Sequence, residues 1–183
     1  MARHVAFLRA INVGGHVVTM DSLRKAFERM GFDDVETFIA SGNVIFTSAA
    51  RARGALEHRI EAALEKALGY EVKTFLRSPE EVAAIAAYAP FSAARIKSAA
   101  ALNVGLLAAP LPAAGRAALA ALETDIDAFH VNGSEIYWLC TSRQSESKFS
   151  NAVFERAVKT RATFRGINTM VRLSTRLNGA PSR

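Results

Sequence analysis

The chain has 183 residues, half of them apolar, with 23 basic and 17 acidic side chains and a formal net charge of +6. That is enough for one compact domain or two small ones with real cores, and a single cysteine, Cys140, excludes an intramolecular disulfide framework and points to a reducing compartment. The charge is uneven: residues 1–140 hold 14 basic and 15 acidic side chains and residues 141–183 hold nine and two, so the surplus in the last quarter calls for an anionic partner, from a phosphate-bearing metabolite to nucleic acid, or is a solubilising tail.

The residues around Val5 and Phe7 make an apolar run that predicts a first strand ending near Ile11. No charged-then-apolar leader precedes it, so a cytoplasmic location is expected. The run gives way to Arg9, Asn12 and the pair Gly14-Gly15. A strand that ends in two glycines before a helix leaves backbone N–H groups to meet an anion, with Arg9 and Asn12 able to add donors. Thr19 is the predicted N-cap of the first helix, and Asp21 lies in its first turn, where the dipole favours a carboxylate. Leu23, Ala26, Phe27 and Met30 recur at helical spacing, and Gly31 ends the helix. Strand-like runs at 35–39 and 44–47, joined by Ala40-Ser41-Gly42-Asn43, predict a hairpin.

Leu56, Ile60, Leu64 and Leu68 mark a second helix closed by Gly69, and residues 72–76 alternate as a strand does. Ser78-Pro79-Glu80-Glu81 combines an N-cap, a first-turn proline and a capping-box glutamate, so a helix starts there and stops before Pro90. The longest apolar region, 99–115, is interrupted by Asn103, Gly105, Pro110 and Pro112, and no membrane span is expected. From Leu102 the order begins again: strand 102–107, an Ala-rich helix past Pro112, then strands around 128–131 and 136–140 with Asn132-Gly133-Ser134 at their turn. Strand, helix and hairpin thus occur twice, a degenerate duplication. Residues 147–158 read as a helix opened by Lys148, and Arg165 opens a last helix carrying Ile167, Met170, Val171 and Leu173. A basic residue in a first helical turn opposes the dipole unless an anion is near, which makes both candidates.

The fold class expected is α+β: a ferredoxin-like βαββαβ first half followed by a degenerate, helix-extended βαββα second half. The domains are 1–90, 91–178 and a disordered tail, 179–183. In that topology the third strand lies antiparallel beside the first. The loop leaving strand one and the turn between strands two and three then share one sheet edge, so that Asn12 and Asn43 belong together.

Leu8-Arg9-Ala10-Ile11-Asn12-Val13-Gly14-Gly15 with Ser41-Gly42-Asn43-Val44 resembles the paired signature of the bacterial family catalogued as domain of unknown function 1697. The usual first motif of that family has Gly where this chain has Ala10. Its closing motif resembles Ala162-Thr163-Phe164-Arg165 with Thr169, preceded by a Ser-Lys pair like Ser147-Lys148, although Gly166-Ile167 replaces an Asn-Trp pair. The resemblance implies an α+β fold and a polar site, and it brings no established activity.

Neither the spaced three-glycine dinucleotide pattern nor the Gly-Lys-Ser/Thr phosphate loop is present. Histidines 4, 16, 58 and 130 lack metal-ligand spacing, so no metal and no cofactor is expected. Cys140 reads as core, and Glu123, Asp125 and Asp127 as a solvated connection. The expected function is binding of an anionic small molecule or nucleic acid. Arg9, Asn12, Gly14, Gly15, Ser41, Gly42 and Asn43 form one wall, and Lys148, Arg165 and Thr169 come from the C-terminal segment. The alternatives are a small enzyme acting on an anionic metabolite, with His16 or Ser41 as reacting group, and a protein-interaction module.

Overall fold

The computed structural model describes residues 1–12, 14–39, 42–50 and 52–179. The chain divides into two units, Met1–Glu81 and Val82–Arg183. Unit one contains β1 (Ala2–Leu8), α1 (Met20–Arg29), β2 (Asp33–Thr37), β3 (Asn43–Ser48), α2 (Arg53–Leu68) and β4 (Thr74–Arg77), and α3 (Pro79–Ala87) carries the chain across the boundary. Its sheet has the order β2-β3-β1-β4 with every neighbouring pair antiparallel. The third strand does lie beside the first, as the βαββαβ reading requires.

The sequence signals for these elements work as chemistry. The Thr19 hydroxyl caps α1 by accepting a hydrogen bond from the Ser22 N–H at 3.1 Å, with Asp21 in the first turn. Gly69 ends α2 in the left-handed conformation, φ 83°. Ser78 and Glu81 form the reciprocal capping box, Glu81 N–H to Ser78 Oγ at 3.2 Å and Ser78 N–H to Glu81 Oε2 at 2.7 Å. One sheet face, carrying Ala6, Leu8, Val44, Phe46 and Leu76, packs on Leu23 and Phe27 of α1 and Leu56, Ile60 and Leu64 of α2. On the opposite face Val5, Phe7, Ile45 and Phe75 are also fully buried.

Unit two contains α4 (Ala93–Ser98), β5 (Ala101–Leu106), α5 (Ala113–Ala120), β6 (Asp127–Asn132), β7 (Glu135–Cys140), a 3-10 turn (Gln144–Glu146), α6 (Asn151–Val158), β8 (Thr163–Gly166) and α7 (Ile167–Asn178). Its antiparallel sheet has the order β6-β7-β5-β8, the unit-one arrangement again. The second half therefore adds a strand, β8, that the expected βαββα pattern lacks. Two helix boundaries also differ. Arg165 does not open a helix; it pairs with Val104 inside β8. Lys148 lies on the exposed chain before α6, which starts at Asn151 under a Ser150 cap. The core of unit two gathers Leu111, Leu119, Ile136, Trp138, Phe149, Phe154 and Val158.

The two units repeat each other in hydrogen-bond register. Leu8 N–H donates to Gly42 O at 2.8 Å, and Leu107 N–H donates to Ser134 O at 2.9 Å. That alignment places Val5, Ile45 and Arg77 of one sheet on Val104, Tyr137 and Arg165 of the other. It also matches Glu61, which accepts from Thr74 N–H at 2.9 Å and pairs with Lys73, to Glu155, which accepts from Ala162 N–H at 3.1 Å and lies 3.7 Å from Arg161. Each buried arginine donates to the carbonyl just before it, Arg77 to Leu76 O at 2.8 Å and Arg165 to Phe164 O at 2.9 Å.

Candidate functional site

Two sequence motifs meet at the end of β1. Leu8 N–H reaches Gly42 O at 2.8 Å and Phe7 pairs with Asn43, so Arg9, which leaves β1, and Gly42, which leads into β3, share one edge of the first sheet. The fit is close. Gly42 has φ +74°, and a Cβ there would sit 3.2 Å from Ile11 Cβ and 3.3 Å from Leu8 Cβ, so glycine is needed for conformation and for space. Arg9 starts the loop half-buried, its N–H bound to Lys73 O at 2.8 Å.

The two asparagines serve the loops themselves. Asn12 Oδ1 accepts from Val18 N–H at 2.6 Å and closes the loop base. Asn43, fully buried, donates from Nδ2 to Phe38 O at 3.0 Å, while its own carbonyl accepts from Phe38 N–H at 2.9 Å. Asn12 is itself exposed, and beyond it Gly14, Gly15, His16 and Val17 face solvent, the last 86% exposed. Ser41 lies outside the described residues.

Backbone strain gathers here. Ala10, Asn12 and Ile39 have φ of 66°, 58° and 59°, and Gly14, Gly15 and Gly42 are also left-handed. A β-branched residue in that region is a genuine outlier. The repeat supplies an internal control. In unit two the same junction, from β5 to α5, takes the six residues 107–112 with no positive φ, no glycine and no charge, whereas β1 to α1 takes the eleven residues 9–19. The fold closes that corner without an arginine, a glycine pair or strain.

Lys148, Arg165 and Thr169 all belong to unit two. Arg165 is buried in β8, donating to Thr163 Oγ1 at 2.8 Å, and burial pushes its guanidinium down to about 10. Thr169 is half-buried in the first turn of α7.

One polar centre escaped the sequence reading. Asp127, read as part of a solvated connection, is 2% exposed. Its carboxylate accepts from Trp138 Nε1 at 2.8 Å, Thr124 Oγ1 at 2.9 Å and Ser147 Oγ at 2.8 Å. It ties the start of β6 to β7 and to the Ser147 turn, and its three donors make it an anchor. The acid sits beside Ile126 and Ala128, and only the distant Trp138 and Ser147 reveal its burial. Among the described residues no group of three or more His, Cys, Asp or Glu is placed to hold a metal ion. No helix of the described residues is long and apolar enough to cross a membrane.

Residues 1–137 match the model of a protein family of unknown function, DUF1697. The chain belongs to this family. Both motifs of the β1 edge fall inside the matched span, and β8 and α7 lie beyond it. The solved structure of a conserved bacterial protein from Streptococcus pneumoniae is similar to this DUF1697 chain with a TM-score of 0.77 and 24% identity, covering 98% of this chain and 99% of that one. The likeness at that identity is one of fold, and it extends through β8 and α7. No curated protein matches the chain. Ala10, inside the matched span, is one of the strained positions, with φ 66°.

Proposed function

We propose that the protein binds a phosphate-bearing or other anionic ligand at the edge formed by residues 9–12, residues 14–17 and Gly42. The observation that carries this reading is the contrast between the two equivalent corners. One is short, apolar and relaxed; the other is longer by five residues, strained and equipped with Arg9 and a glycine pair. Strain kept where the fold does not require it points to a ligand. The donors are the Arg9 guanidinium and the exposed backbone of Gly14 and Gly15, where no side chain blocks close approach.

Asn12 and Asn43 set the shape of this site and are not ligand donors in the reading. Calorimetric titration with inorganic pyrophosphate tests it. Arg9→Met keeps the aliphatic stem and removes the charge, so affinity is expected to fall by about tenfold or more, the worth of a charge-assisted hydrogen bond. Binding in the parent protein should also weaken as salt rises. Unchanged affinity in Arg9→Met, or no binding of pyrophosphate by the parent, overturns the proposal.

A further inference from the structure

The loop carries a feature that an anion alone does not use. The His16 ring stacks on Tyr70, with centroids 3.9 Å apart and planes inclined by 26°. Tyr70 is half-buried and packs against the core of unit one. Its hydroxyl is buried with no hydrogen-bond partner among the described residues, so ring packing is what holds it there. Tyr70 stacks on one face of the imidazole, and His16 as a residue remains exposed, next in the chain to the highly exposed Val17.

Anchoring the loop does not call for this stack. The base is already closed by the bond from Val18 N–H to Asn12, and Ile11 and Val18 are seated in the core at 7% and 8% exposure. The equivalent corner of unit two, Ala108 to Leu111, has no aromatic residue and still closes. A planar group held in one orientation at low entropic cost is what a heteroaromatic ring binds by stacking. Gly14 and Gly15 stand two and one residues before it, within about 7 Å along the chain, the scale of a sugar between a phosphate and a base.

We infer that the ligand is a mononucleotide, with its phosphate at Arg9 and the glycine pair and its base on the outer face of His16. This rests on the anion site proposed above. The test is calorimetric titration of the full chain, at low salt, with AMP and with ribose 5-phosphate. AMP is expected to bind about tenfold more tightly, the contribution of one stacked base. His16→Ala should bring AMP to the affinity of the sugar phosphate and leave ribose 5-phosphate unchanged, and His16→Phe should keep the preference for AMP.

Equal affinity of the two probes for the parent protein overturns the stacking inference and leaves the anion site standing. An AMP preference that survives His16→Ala overturns the placement of the base. Binding of neither probe overturns both readings. Circular dichroism of each variant confirms that the fold is intact, which the exposure of His16 leads us to expect.

Discussion

At the residue scale, Ala10 holds a left-handed backbone, φ 66°, without being glycine. Left-handed backbone costs an L-residue about 1–2 kcal/mol, and part of that is offset for glycine by its larger unfolded-state entropy. Ala10→Gly is therefore expected to stabilise the protein by about 0.5–1 kcal/mol, read as a higher urea midpoint at unchanged slope; a lower midpoint contradicts the strain argument. His4 offers a pH test. Burial first, then the Arg53 charge, lowers its pKa from 6.5, and Glu81 partly opposes them. Its Nε2 is buried without a partner among the described residues, and its ring lies 5.4 Å from Phe46. The unfolded chain then takes up the proton first, so His4's contribution is complete above pH 6.5 and is lost as pH falls below it. The drop in urea midpoint between pH 7.5 and 5.5 should be smaller in His4→Phe than in the parent. Residue roles were the least legible part of the sequence. Asn12 and Asn43 were visible as polar side chains, but nothing in a string of letters says that the Asn12 amide oxygen already accepts from Val18 N–H or that the Asn43 amide nitrogen already donates to Phe38 O.

Elements were legible where a period is long enough to repeat. The four-residue spacing of Leu56, Ile60, Leu64 and Leu68 places α2, and Ser78 with Glu81 places the start of α3. α4, six residues with none buried, has no apolar stripe to find. β8 is four residues long and runs straight into α7, so Arg165 was read with the helix that follows it. β4 and β8 are edge strands; carboxylates of the preceding helix cap N–H groups of β4 itself, and Glu155 caps Ala162 N–H just before β8. On β4, Glu57 and Glu61 accept from Leu76 and Thr74 N–H, both at 2.9 Å, and Lys73 Nζ lies 2.8 Å from Glu61. Glu61→Ala leaves the Thr74 N–H of that edge without its acceptor and is expected to cost about 1–3 kcal/mol. Glu61→Gln keeps an acceptor oxygen and should cost less. Equal losses for the two variants, measured by urea unfolding, would show that the charge rather than the edge bond matters.

For the whole molecule, duplication explains what the chain must have in order to fold and what it has in addition. The sequence shows the repeat as an order of elements, strand, helix, hairpin, because hydrophobic periods and turn residues survive divergence. It hides the repeat in identity, because Val5, Ile45 and Arg77 need only match Val104, Tyr137 and Arg165 in register. One corner can therefore be exchanged for the other. Replacing residues 9–18 with Ala108 to Leu111 joins Leu8 to the Thr19 cap through a connection that the same topology already tolerates. Leu111, 3% exposed in its own unit, stands in for one of the buried pair Ile11 and Val18. The loss of the other should cost about 1.5–3 kcal/mol, and the shorter loop returns a few tenths to about 1 kcal/mol in closure entropy. The exchanged protein is expected to unfold cooperatively at a modestly lower midpoint and to bind no pyrophosphate. An exchanged chain that fails to fold would make the long, strained connection a structural necessity of unit one, and the contrast between the two corners would cease to argue for a ligand.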